Sequence, residues 1–164
     1  MSRLTRRERD DLVPAEVQAR LGPGEHPLAR ATTARGGAVL ATEHALYVVS
    51  GGVQVHPWHT LTGITWEEPR LTLLTREGPF PVELADEGHL PEVARERVRA
   101  SIVVSEHVAA YDDGRGARFS ARRTLPAGDP VWVVTFDAGL DPADPENRAW
   151  ADRVVERLRE AYGV

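Results

Sequence analysis

His56 and His59, in the stretch HPWH, are the first residues whose types could do chemistry, since two nearby imidazoles make half of a zinc site. If the stretch is a strand, their separation of three points the rings to opposite faces. No third ligand follows at metal-site spacing, so no metal is expected. Asp137, Asp141 and Asp144 imitate a calcium loop, but the glycine and distal glutamate of an EF-hand register are absent. Helix capping and turns account for them. Glu67 and Glu68 form a carboxylate pair of the kind acid–base catalysis uses, although glutamates at a strand end are most simply solvated. Five serines lie in no G-x-S-x-G, and the glycines never form G-x-G-x-x-G. No catalytic residue and no cofactor is expected.

Two absences exclude whole classes. The chain has no cysteine, which removes thiolate nucleophiles, disulfides and cysteine metal sites. It also has no lysine, all 20 basic residues being arginine. A Walker A loop and a Schiff-base enzyme each need that amine.

The arginines are unevenly placed. Residues 1–20 carry +1, 21–94 carry −5, 95–123 carry +3 and 124–164 carry −4, summing to the net −5. In ARFSARRT a strand would turn Arg118, Ser120 and Arg122 one way and Phe119 and Ala121 the other. Guanidinium forks suit carboxylates and phosphates, so Arg118, Arg122 and Arg123 are the candidate partner-binding residues, and the expected partner is a protein, an acidic one if charge drives recognition. The competing account is internal: Asp152, Glu156 and Glu160, at intervals of four on the last helix, would neutralise the row.

These residues need elements to hold them. At 164 residues the chain is long enough to bury roughly 70% of its unfolded surface. Short runs between turn signals read as strands: HPLARATTAR, AVLAT, ALYVVS, VQVHPW, GITWEE, RLTLLTR and PFPVELAD. Gly36-Gly37 and Gly51-Gly52 are hairpin links that supply positive φ. In the last run Phe80, Val82 and Leu84 share a face, a half-buried alternation. The period then changes, and Leu90, Val93, Ala94 and Val98 form a helical stripe with Arg95, Glu96 and Arg99 on the solvated side. Within ERVRASIVVSEHV the stripe fails after Ile102, where β-branched neighbours start a strand to about Tyr111. ARFSARRT and VWVVTFD continue a second meander. Asp144 before Pro145 starts a closing helix with Trp150, Ala151, Val154 and Leu158 on its apolar side. PAEVQARLGPG predicts a short helix with Pro14 inside its start and Gly22 past its end. Residues before about Asp11 are polar enough to be expected mobile, as an N-terminal arm.

About seven antiparallel strands followed by a helix resemble a pleckstrin-homology-like barrel. The stretch AVLATEHALYVVSGGVQVHPWHTLTGITWEE resembles the bacterial PH-like and GRAM-like pattern, with Leu40, Thr42, Leu46 and Tyr47 in its first hairpin. Pro57-Trp58, Ile64 and Trp66 follow. The resemblance covers Gly24 to Ser105, about half of the chain, and the remainder is similar to uncharacterised actinobacterial proteins. It implies a fold but no activity. Phosphoinositide-binding relatives use a basic first hairpin, and this one has only Arg30 and Arg35, so the lipid role is not implied.

The expected architecture is α+β and mainly antiparallel. An N-terminal arm and short helix (1–23) precede a PH-like barrel with its helix (24–105), then a three-stranded meander and C-terminal amphipathic helix (106–164). Trp58 and Trp66 are expected to be buried anchors. The expected function is a non-enzymatic interaction or adaptor module in the cytoplasm, without nucleic acid or membrane insertion, and open to homo-oligomerisation. The alternative is a small-ligand-binding protein or enzyme with its site between barrel and C-terminal unit.

Overall fold

The computed structural model describes residues 13–164. The fold is α+β with antiparallel strands in a seven-stranded and a three-stranded sheet. The expected arm, the residues before about Asp11, lies outside the described residues. The chain divides into two compact units, residues up to Arg99 and Ala100–Val164.

The first unit carries β1 (Pro27–Thr33), β2 (Ala38–Thr42), β3 (Ala45–Val49), β4 (Val53–Pro57), β5 (Gly63–Glu67), β6 (Arg70–Thr75) and β7 (Gly78–Asp86). They run in the order β4-β3-β2-β1-β7-β6-β5, so β1 bridges two meanders by pairing β2 along its length and β7 at Thr32 and Thr33. The sheet does not close into a barrel: β4 and β5 remain its edges. Pro57 ends β4 without an N–H to donate, and a 3-10 turn over Trp58–Thr60 leads the chain away.

Inside the curled sheet, Val39, Leu46, Val48, Leu71, Leu73, Val82 and Leu84 meet Trp58, Leu61 and the stripe Leu90, Ala94 and Val98 of α2 (Leu90–Ala100). Trp58 is 1% exposed and its indole N–H donates to the Thr42 carbonyl at 3.0 Å. Trp66 is only half-buried against this core. Every residue of β2 is buried, because its outer face is covered too. There Ala38, Leu40, Ala45 and Tyr47 pack with Val17 of α1 (Ala15–Gln18). That helix is a single turn, capped by Pro14 rather than containing it, and ends well before Gly22. Each glycine pair supplies one positive φ, at Gly36 (82°) and Gly51 (69°). Gly37 is needed for room instead: a Cβ there would lie 2.0 Å from the Val49 carbonyl oxygen.

In the second unit β8 (Ile102–Ala109), β9 (Gly116–Arg122) and β10 (Val131–Phe136) form the order β10-β9-β8. The handover from helix to strand comes at Ser101, between α2 and β8. A boundary at residue 105 cuts β8, which pairs with β9 throughout and belongs whole to this sheet. α3 (Pro145–Tyr162) starts at Asp144, whose carboxylate accepts from the Glu146 N–H at 2.7 Å, and ends at Gly163 in left-handed conformation. Ala151, Val154 and Leu158 pack on Ala117, Phe119, Ala121 and Trp132, and Trp150 stacks edge-on against Phe119. No helix among the described residues is long and apolar enough to cross a membrane.

Candidate functional site

The site is built on the face of β8–β10 that turns away from α3. Antiparallel register sets it out in three cross-strand rows: Ile102–Arg122–Val131, Ser105–Ser120–Val133 and His107–Arg118–Thr135. The Ser105 and Ser120 hydroxyls meet at 3.2 Å, which fixes these residues on one face. Phe119 and Ala121 lie on the other face, buried under α3.

The three arginines have different fates. Arg118 and Arg123 are exposed. Arg122 is 4% exposed, and its Nη1 donates to the Ser101 hydroxyl at 3.0 Å. Burial lowers its pKa from the usual arginine value. A partner docking on the surface cannot form a bidentate pair with a guanidinium so enclosed, which corrects the expectation for Arg122. Its fate lies beyond alternation, since the row Arg118–Ser120–Arg122 is exposed at one end and covered at the other. Around the covered end, Ile102 (36%), Val103 (41%) and Val131 (37%) leave large apolar side chains exposed.

Internal neutralisation by the last helix is not what the structure holds. Phe119 and Ala121 face α3, so Arg118 points away from Asp152, Glu156 and Glu160, which are exposed. Glu156 pairs instead with Arg159, one helical turn on, at 2.9 Å. The charge beside Arg118 is Asp137, reached from the end of β10. Its carboxylate bonds the His107 imidazole at 2.8 Å and accepts from the Gly116 N–H at 2.8 Å. Both bonds, His107 first, hold its pKa below the usual carboxylate range, with Arg118 adding a smaller attraction. Asp137 thus ties β10 across β9 to β8. Of the calcium-loop imitators, Asp141 holds the Ala143 N–H at 2.8 Å and Asp144 caps α3, so each has a local backbone role.

In the first unit two adjoining cavities lie where β4 faces β7. One, of about 620 Å³, has Val48, Phe80 and Val82 beneath Arg35, Gln54, Arg70 and Glu83. The other, of about 540 Å³, shares Gln54 and Phe80 and adds His56, Thr75 and Glu77. The His56 ring leans on Phe80 at 5.0 Å between centroids, and burial lowers its pKa. His59 sits in the 3-10 turn. No three histidine, aspartate or glutamate side chains converge as a metal site among the described residues.

One polar cluster was missed from the sequence. Glu25 is 6% exposed, and its carboxylate accepts from Thr42 Oγ1 at 2.5 Å, Tyr47 OH at 3.2 Å and the Gly22 N–H at 2.8 Å. Burial and then the Glu25 charge push the Tyr47 phenol up to about 12. The available signal was two hydroxyl residues, Thr42 and Tyr47, inside otherwise apolar buried strands. Such groups require a partner. Glu25 satisfies them and clamps the turn after α1 to β2 and β3. Its donors come from the fold itself, so the cluster is structural.

In comparison with known proteins, the chain matches no family model, no curated protein and no solved structure.

Proposed function

We propose that the chain is a non-enzymatic cytoplasmic interaction module on a PH-like scaffold, and that the β8–β10 face engages an acidic protein partner. The observation that carries this is the exposed apolar group Ile102, Val103 and Val131 on the sheet whose other exposed charges are Arg118 and Arg123. Exposed apolar side chains and arginines carried by one small sheet are the make-up of an interface: the apolar part supplies burial, and the cations set orientation and encounter rate. Of the three candidate arginines, Arg118 and Arg123 carry this role, because Arg122 is enclosed. Affinity capture by the wild type and by Arg118→Glu/Arg123→Glu, read by quantitative mass spectrometry, tests the reading. The charge reversal is expected to keep the melting temperature and to lose a salt-sensitive acidic partner. Identical captured sets would defeat it.

A second reading rests on the seam where β4 faces β7. Its apolar floor and rim of Arg35, Gln54, Arg70 and Glu83 suit a small amphiphilic ligand, within the first unit rather than between units. Ligand-observed NMR with a fragment library tests it: fragments lost on Phe80→Ala and Gln54→Ala support a seam site, and fragments insensitive to both oppose it.

A further inference from the structure

We infer that the outer edge of β10 is a self-association site, at which a second copy of this chain adds its own β10 antiparallel and joins two three-stranded sheets into one of six strands. The argument begins with the edges. A strand edge exposes unpaired N–H and C=O groups, and proteins protect edges with proline, charge, bulges or cover. Among the described residues, three of the four sheet edges are protected. β4 stops at Pro57, β5 is five residues long and carries Glu67, and β8 bears a register shift between Ile102 and Val104 together with Glu106. β10 carries no proline, charge or bulge within the strand itself, Pro130 and Asp137 lying just outside it. Its six residues, VWVVTF, hold no charge, no glycine and no proline, and its register against β9 runs unbroken from Val131 to Phe136. No strand pairs with its outer side among the described residues.

Register then defines the docking groups. The Asp137 N–H donates to the Gly116 carbonyl at 3.0 Å, which makes that a hydrogen-bonded pair. Stepping by two, Val131, Val133 and Thr135 also bond inward to β9. Trp132, Val134 and Phe136 therefore turn their N–H and C=O groups outward. These three positions are symmetric about Val134, so an antiparallel copy related by a two-fold axis matches them donor to acceptor. Val134 pairs with itself, Trp132 pairs with the second copy's Phe136, and about six hydrogen bonds form. Each Trp–Phe pair places aromatic side chains opposite one another on the face that carries α3, where cross-strand aromatic pairs stabilise sheets.

The absence of cysteine makes the test clean. Across a hydrogen-bonded antiparallel pair the Cα atoms lie about 5.5 Å apart, within disulfide range. Val134→Cys is therefore expected to cross-link to its own copy under mild oxidation, whereas Val103→Cys, exposed on β8, is not. Sedimentation equilibrium from micromolar to millimolar concentration is expected to show the wild type at twice its 18.0 kDa chain mass. Val134→Pro removes an outward N–H while sparing the β9 ladder, and is expected to remain folded by circular dichroism and become monomeric. Should that variant unfold, the cysteine comparison decides. A wild type monomeric throughout, equal cross-linking of both cysteine variants, or a folded Val134→Pro dimer would each overturn the inference.

Discussion

At the residue scale, the chemistry that alternation reveals and the chemistry it hides divide cleanly at β9. Arg118 and Arg122 are equivalent in a period-two pattern, yet one is exposed and the other 4% exposed, because what covers a sheet face is tertiary information. Asp137 was legible only as a turn acid. Its bond to His107 spans thirty positions of sequence, and nothing in local spacing announces it. That bond has a pH consequence. The folded Asp137 pKa is depressed, so its contribution is present above the unfolded carboxylate value and is lost as pH falls through the folded one. Asp137→Asn should therefore lower the melting temperature at pH 7, with the difference from wild type shrinking toward pH 3; an unchanged difference would mean that the ionised form carries none of the effect. Tyr47 has the opposite sign. With its pKa raised from 10.0 to about 12, its contribution is complete below pH 10 and disappears as pH climbs through the folded value. Absorbance titration of the folded protein should show a phenolate step near pH 12 that vanishes in Tyr47→Phe. Glu25→Ala, which strands the Tyr47 hydroxyl while Thr42 keeps its bond to the Ala45 carbonyl, should cost about 1–3 kcal/mol in denaturant unfolding.

At the element scale, much more was legible. Among the described residues, the ten strands and the two longer helices lie where periodicity and turn residues place them, because each is a local pattern with a local stop. The change from α2 to β8 follows directly from the β-branched run Ile102-Val103-Val104, which crowds a helix but suits a strand. Asp144 and Pro145 mark the start of α3 by cap chemistry, and Asp144→Ala should cost about 1 kcal/mol. Two features were not legible. Closure of the first sheet depends on whether β4 and β5 meet, which strand count and order leave open. The role of Gly116 depends on close approach: a Cβ would lie 1.9 Å from the Val108 carbonyl oxygen. Gly116→Ala should therefore cost at least about 1–3 kcal/mol, the usual range for overpacking. It should also loosen the turn that holds Asp137 to His107, visible as faster amide exchange in β8. Trp58→Ala, removing a side chain 1% exposed and orphaning the Thr42 carbonyl, should cost about 3–5 kcal/mol.

At the scale of the whole molecule, charge separates the two surfaces assigned here. The chain carries −5 with a pI of about 5.7, so two copies approaching at pH 7 repel each other, while an acidic partner is drawn locally to Arg118 and Arg123. β10 itself contributes no charge, so self-association is governed by the field of the whole chain and by backbone pairing. Screening acts on these two cases with opposite sign, since the Debye length falls from about 30 Å at 0.01 M to about 8 Å at 0.15 M salt. Raising salt over that range at pH 7 should tighten the dimer and weaken capture of the acidic partner. Lowering pH toward the isoelectric point removes the repulsion, so near pH 5.7 salt should leave the dimer almost unchanged. Sedimentation equilibrium at two salt concentrations and two pH values, run beside capture of the partner, reads both effects on the same protein. A dimer that loosens with salt at pH 7 would show that ion pairs rather than the uncharged β10 edge hold it together, and would move the self-association site to a charged face.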